Sequence, residues 1–293
     1  MSTLSRRTFL AAGAGLVVAA ACGSKGSGST ASGAGGSSGS SSGANAFVAR
    51  FADGTFVPGN QRVAVSLANT AGLVSDNTPA TITAKVTTQD GKVVVPEVRA
   101  DRHDKGLPVP YWPFLLQLPS TGVYQLVATV DAKELTQAFS VVDPSAVKIP
   151  LVGSALPPFD TPTTTDARGV NPICTRKPPC PLHDITLTEA LTKGKPVAYL
   201  IATPAYCQTG VCGPILDFLL AAHTTLGDKA TMVHAEVYRD STASTTAPAV
   251  DAYHMTFEPS LFVADATGKI VERLDFVFDE GEIVAALKKA GVS

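Results

Sequence analysis

Asp143-Pro144 divides the chain into two stretches with different hydrophobic rhythms, and this change restricts the fold more than any other feature of the sequence. Between Phe47 and Val142 apolar and polar residues alternate in short runs, such as Arg62-Val63-Ala64-Val65-Ser66-Leu67, Ala80-Thr81-Ile82-Thr83-Ala84-Lys85-Val86 and Val123-Tyr124-Gln125-Leu126-Val127-Ala128-Thr129-Val130. A period of two sends successive side chains to opposite faces of a strand. Pro58-Gly59-Asn60, Asp90-Gly91 and Ser120-Thr121-Gly122 supply turns between the runs. Short alternating strands with frequent turns predict an all-β sandwich over residues 46–143. Trp112 is expected in its core, and His103, among Arg102, Asp104 and Lys105, in a solvated loop.

Residues 144–293 read differently. Proline is dense up to Pro181, after which helical patterns alternate with buried apolar runs. Ile185 to Leu191 predicts a short helix, with Thr186 as cap and Glu189 at the capping-box spacing. Pro196 to Ala202 and Thr231 to Val237 predict strands. Pro214 to Leu226 predicts a helix opening on proline. Ser260 to Ala264 and Lys269 to Leu274 predict a hairpin, and Glu280 to Ala290 a closing helix. This half is therefore α/β, in the order strand, helix, strand, hairpin, helix.

Ahead of both halves, Ser5-Arg6-Arg7-Thr8-Phe9-Leu10 resembles a twin-arginine export motif. The apolar stretch from Phe9 to Ala21 is shorter than the ~20 residues of a membrane-spanning helix. Ala19-Ala20-Ala21-Cys22-Gly23 resembles a bacterial lipobox, although alanine stands at 19 where leucine is usual. The resemblance implies a signal peptide over residues 1–22, lipid on Cys22 and a place on the outer face of the cell membrane. Residues 23–45, nearly all Gly, Ser, Ala and Thr up to Gly43, are expected to form a flexible tether with a reach of roughly 25 Å. Formal net charge is −2, and no basic stripe interleaves with aromatics, which argues against a nucleic-acid partner.

Of five cysteines, four remain once Cys22 is set aside: Cys174, Cys180, Cys207 and Cys212. In an exported protein an even number favours two disulfides, and local pairing gives Cys174–Cys180 and Cys207–Cys212. Cys174 and Cys180 flank Thr175-Arg176-Lys177-Pro178-Pro179, the composition of a stapled surface loop. A zinc site made of all four thiols has little support, and no metal or cofactor is expected.

Several segments of the second half resemble thioredoxin-like proteins, in particular TlpA-type thiol–disulfide oxidoreductases. Val152-Gly153-Ser154-Ala155-Leu156-Pro157-Pro158-Phe159 is similar to their opening segment. Gly194-Lys195-Pro196-Val197 is similar to the approach to their first core strand, and Ala202-Thr203-Pro204-Ala205-Tyr206-Cys207 to "A-x-W-C". Phe257-Glu258-Pro259-Ser260-Leu261-Phe262-Val263, with Asp265 and Gly268, is similar to their cis-proline strand. The likeness runs from Val152 to Ala290 and implies a thioredoxin-like fold. It also implies a redox site at Cys207, Cys212 and Pro259, with the thiols or disulfides of other exported proteins as partners. In the first half, Leu118-Pro119-Ser120-Thr121-Gly122-Val123-Tyr124 resembles a strand start of immunoglobulin-like modules, where the tyrosine fills the corner between sheets.

The family norm is Cys-x-x-Cys, whereas this chain has Cys207-Gln208-Thr209-Gly210-Val211-Cys212. In one register Cys207 is the nucleophile and the loop is longer by two residues. In the other, Cys212-Gly213-Pro214-Ile215 copies Cys-Gly-Pro-Cys, with Ile215 in place of the second cysteine and Cys207 as a resolving thiol. In a continuous helix two residues five apart are separated by more than ~7 Å, too far for a disulfide, so Cys207 to Cys212 is expected to be a loop. A helix starting near Pro214 would then favour a thiolate at Cys212. Two further readings stand beside exchange. A peroxiredoxin-like peroxidase needs a threonine three residues before its nucleophile, where Pro204 stands relative to Cys207. A Sco-like copper-delivery protein needs a histidine before the hairpin; Glu258 falls near that place and His254 is four residues earlier.

Overall fold

The computed structural model describes residues 43–293; the signal peptide, Cys22 and most of the tether lie outside the described residues. The chain is β-rich, and its described residues form three four-stranded sheets.

Two of the sheets come from the first half. One is built on β2 (Gly59–Asn69), which pairs antiparallel with β1 (Ala46–Ala49), β3 (Gly72–Leu73) and β6 (Trp112–Leu118). The other runs β5-β4-β7-β8, with β4 (Thr81–Thr88), β5 (Val93–Asp101), β7 (Gly122–Val130) and β8 (Lys133–Val141) all antiparallel. Alternation gives each sheet one apolar face. Val63, Val65, Leu67, Trp112 and Phe114 of the first meet Ile82, Val86, Leu126 and Phe139 of the second in a single buried cluster. Trp112 is fully buried there, as expected. Tyr124 stacks on Phe139 with ring centroids 5.8 Å apart and donates its hydroxyl to the Ser120 carbonyl at 2.9 Å. The edge strand β5 carries Pro96, tolerable only where no ladder partner needs its missing N–H.

The third sheet belongs to the second half, in the order β10-β9-β11-β12. Strand β9 (Val197–Ile201) is buried along its whole length, pairing parallel with β10 (Thr231–Ala235) and antiparallel with β11 (Ser260–Ala264). Strand β12 (Ile270–Asp275) completes the hairpin with β11. Burial on both faces explains the unbroken apolar run Val197-Ala198-Tyr199-Leu200-Ile201. On one face Ala198 and Leu200 pack with Ile215 and Leu219 of α2 (Cys212–Leu226) and Ile283 and Leu287 of α4 (Glu280–Lys289). On the other, Val197, Tyr199 and Ile201 pack with Leu187 and Ala190 of α1 (Leu187–Leu191) and Val250 of α3 (Pro248–Ala252). The capping box of α1 is formed as expected, Thr186 and Glu189 each accepting the other's backbone N–H. Helix α2 starts at Cys212, two residues before the proline expected to open it.

The two halves share a partly buried polar seam. Arg62 of β2 forks onto Glu282 of α4 at 2.6 and 2.9 Å and donates to the Val277 carbonyl at 2.7 Å. Tyr111 also donates its hydroxyl to Glu282. His103 is not the solvated loop residue expected from its charged neighbours. It is partly buried, with Nδ1 2.7 Å from Asp279 Oδ2, while the other oxygen of Asp279 caps α4 by accepting the Glu282 N–H. A carboxylate already fixed at a helix start gives the imidazole a partner that its sequence neighbours do not reveal.

Candidate functional site

The site grows from the carboxyl end of β9. The chain leaves Ile201, turns back through Cys207 N–H to the Thr203 carbonyl at 3.1 Å, and turns again through Gly210 N–H to the Cys207 carbonyl at 3.2 Å. Gly210 lies at φ +70°, a conformation that disfavours any side chain. Val211 then caps α2, and the loop folds Cys207 over the start of that helix. The sulfurs of Cys207 and Cys212 lie within 4.8 Å of each other and of a Glu258 carboxylate oxygen. All four described cysteines are free thiols.

Five residues apart in sequence, the two thiols have opposite environments. Cys207 is partly exposed, and Cys212 is fully buried. A hydrogen bond from the Cys212 thiol, the Thr209 hydroxyl and the backbone N–H groups of Cys212 and Val211 stabilise the Cys207 thiolate, lowering its pKa to about 5 against the opposing effect of burial. The Thr209 hydroxyl is 3.3 Å from the sulfur. Burial pushes the Cys212 thiol well above its ordinary value; its hydrogen bond to Cys207 and the nearby Glu258 carboxylate act in the same direction. This reverses the expectation that Cys212, at the start of a helix, would be the readier thiolate. The helix does start there, but its free N–H groups point at the sulfur of Cys207, and desolvation outweighs the dipole at Cys212.

Pro259 sits beside the pair because β11 begins there: Ser260 is in register with Ile201, the last residue of β9. The Glu258–Pro259 peptide bond is cis. Glu258 aims its carboxylate at the buried thiol, with Cys212 Sγ donating to Oε2 at 3.9 Å. Burial, with the Cys207 and Glu236 charges acting in the same direction, raises the Glu258 carboxyl to about 8. The carboxyl and the Cys207 thiol therefore resist being ionised together.

The first half takes part as well. Arg50, just after β1, is 6% exposed and donates Nε to Ser66 Oγ at 3.0 Å, while its Nη2 has no hydrogen-bond partner. Its positive charge interacts favourably with a Cys207 thiolate. Leu107, Cys207 and Phe218 all pack against the core under α2. A Cβ on Gly210 would come within 3.9 Å of Pro108. The sandwich thus forms one wall of the cysteine loop.

Cys174 and Cys180 flank an exposed turn at Lys177-Pro178-Pro179, as expected, but both are buried free thiols, next to His183 and His234, and Thr175 donates its backbone N–H to Glu236 at 2.6 Å. His254 stands apart from Cys207 and Cys212, lining a shallow pocket with Asp53, Lys148 and Met255. Sequence reasoning missed Arg50, His183, His234 and Glu236, and met Glu258 only as the residue in a histidine's place. Ionisable residues inside apolar strand patterns, His234 in β10 above all, were the available signal. No protein-family model and no curated protein matches the chain. Among the described residues, no helix is long and apolar enough to cross a membrane.

Proposed function

We propose that the protein is an extracytoplasmic, lipid-anchored thiol–disulfide oxidoreductase acting on exported proteins through Cys207 and Cys212. In this reading residues 144–293 are a thioredoxin-like domain and residues 46–143 an immunoglobulin-like sandwich. The observation that carries it is the asymmetry of the pair: an accessible, acidic Cys207 in front of a buried Cys212 that touches a carboxylate. Support for the thioredoxin-like reading comes from the sheet order β10-β9-β11-β12 with helices on both faces, and from the cis proline beside the dithiol loop. The sheet pairing of the first half and the Tyr124–Ser120 hydrogen bond support the immunoglobulin-like reading.

The Cys207 thiolate attacks one sulfur of a substrate disulfide. The substrate S–S bond breaks, its second sulfur leaves as a thiolate that takes a proton from water, and a mixed disulfide joins Cys207 to the substrate. With the Cys207 charge gone, Glu258 releases its own proton to solvent, accepts the Cys212 proton as Cys212 attacks the Cys207 sulfur, and yields that proton to the departing substrate sulfur. The mixed disulfide breaks, the substrate leaves as a dithiol, and the protein holds a Cys207–Cys212 disulfide. Two electrons pass to the substrate; run backwards, the same steps oxidise it. Arg50 stabilises the thiolate state, and Pro259 offers a backbone edge to the incoming chain. The copper-delivery reading loses ground, because His254 lies in a different pocket from the cysteine pair.

The deciding measurement is the redox equilibrium of the Cys207/Cys212 pair of the full chain in glutathione buffers, combined with trapping of a model disulfide substrate. A reversible two-electron couple and a mixed disulfide that accumulates in Cys212→Ser support the function. A pair that stays inert to both reagents removes it.

A further inference from the structure

Behind the redox loop, four soft donors meet in a dry space. Cys174, Cys180 and His183 fall within one short segment, and His234 comes from the middle of β10. Their exposures are 4%, 5%, 1% and 0%. One donor atom from each lies within 4.8 Å of all the others. His234 Nδ1 is 3.2 Å from His183 Nε2 and 3.5 Å from Cys180 Sγ. A tetrahedron with zinc–nitrogen bonds of about 2.05 Å and zinc–sulfur bonds of about 2.3 Å has edges of roughly 3.3 Å between nitrogens and 3.6 Å between nitrogen and sulfur. The His234–His183 and His234–Cys180 separations match two of those edges.

The surroundings suit a metal better than a staple. His234 Nε2 is 3.1 Å from the Ala202 carbonyl, which can only accept. The proton of a neutral ring is therefore on Nε2, and the Nδ1 lone pair faces the cluster, the outer-shell arrangement usual for a metal-binding histidine. The Cys180 N–H points at Cys174 Sγ at 3.3 Å, which favours a thiolate there. A Cys174–Cys180 disulfide would employ neither imidazole and would leave both rings buried against it. Two thiolates and two neutral imidazoles around a divalent cation sum to zero charge, so the assembled centre can be buried without an unpaired ion. Sulfur and imidazole donors exclude calcium and magnesium and suit zinc.

We propose that Cys174, Cys180, His183 and His234 form a closed, structural zinc site. Binding releases the two thiol protons, and no ligand position is left for a substrate, so the centre is structural rather than catalytic. Its task follows from what the segment holds. The Ala202 carbonyl that orients His234 belongs to the residue after β9. Thr175 Oγ1 accepts the Ala205 N–H at 3.0 Å, and Arg176 pairs with Asp217 of α2 at 2.7 Å. The site clamps residues 174–183 onto both ends of the loop that carries Cys207. The proposal does not depend on the thiol-exchange reading.

The test is metal analysis of the full chain, purified without chelator and reloaded with zinc. About one tightly held zinc per chain is expected, retained in Cys207→Ser/Cys212→Ser and lost in Cys174→Ser and in His183→Gln. Cobalt in place of zinc should give thiolate-to-metal charge-transfer bands and the strong visible bands of a tetrahedral ion; these measurements on the unmutated chain stand even if Cys174→Ser fails to fold. A Cys174–Cys180 disulfide in the reloaded protein, found by peptide mapping without reductant, overturns the proposal. So does a chain that retains no zinc, or metal that follows Cys207 and Cys212 instead.

Discussion

Arg62 and Glu282 are 220 positions apart in the chain, yet the guanidinium of one is laid across both carboxylate oxygens of the other. Their side chains are only 10% and 15% exposed. Removing one partner leaves the other charge largely buried and unmatched, which typically costs about 3–5 kcal/mol. Arg62→Met is therefore expected to lower the urea midpoint of the full chain strongly. Arg62→Met/Glu282→Leu should recover much of the loss, because neither charge is then stranded. A double variant no more stable than the single one would show that the pair acts through packing rather than charge.

The proposed function makes Cys207 the reactive sulfur. Iodoacetamide labelling of the reduced protein should follow a titration centred near pH 5. Cys212 should resist labelling at neutral pH in Cys207→Ser, being buried and protonated. Arg50→Met should move the Cys207 titration upward, since an opposite charge is withdrawn from the thiolate. Rapid labelling of Cys212 in Cys207→Ser would assign the roles the other way round.

Glu258 is expected to govern the second step of exchange rather than the first. Glu258→Gln should leave formation of the mixed disulfide nearly unchanged and slow its resolution about 10²-fold or more, the scale of general-base effects. Stopped-flow mixing with a chromogenic disulfide separates the two phases. If both slow equally, the carboxyl serves only to hold the loop.

His103 and Asp279 make the seam between the halves sensitive to pH. The hydrogen bond to Asp279 raises His103 above its ordinary value, so its contribution is full below the unfolded pKa of about 6.5 and disappears as pH rises through the folded value. Asp279 is depressed, despite burial, by His103 and by the Glu282 N–H, so its contribution is full above about 3.9 and is lost as pH falls through its folded value. The pair should be strongest between those limits. Stability measured from pH 5 to 9 should decline, and His103→Gln should flatten the decline while costing about 1 kcal/mol at pH 5. An unchanged slope in the variant would assign the decline to other groups.

Much of the architecture was legible because local chemistry decided it. Alternation located β2, β4 and β7, Thr186 and Glu189 announced α1, and Asp265 to Gly268 marked the β11–β12 turn. Cys207, Cys212 and Pro259 stand out in the sequence because each lies at a junction between elements, and the structure brings the two thiols together with Glu258, the residue before Pro259. The missed relationships depend on tertiary approach. The His183–His234 contact spans 51 positions, and the Arg50 charge is felt at Cys207 only because the halves dock. The thiol that the helix start favours is Cys207, not Cys212, for a related reason. Sequence placed Cys212 at a helix start, but gave no measure of its complete burial or of where the free N–H groups of that helix point.

In the proposed exchange reaction, the Glu258 carboxyl ties electron transfer at the pair to proton movement. In the reduced protein at neutral pH the shared negative charge resides on Cys207, and Cys212 and Glu258 keep their protons. Oxidation removes the thiolate whose charge helps hold the carboxyl near 8, so Glu258 becomes more acidic as the disulfide forms. Between its oxidised-state pKa and about 8, two protons leave with the two electrons, and the midpoint potential falls by about 59 mV per pH unit. With glutamine at 258 only the Cys212 proton leaves, and the slope halves to about 30 mV. On that reading, the oxidising strength of the pair follows the pH of its surroundings.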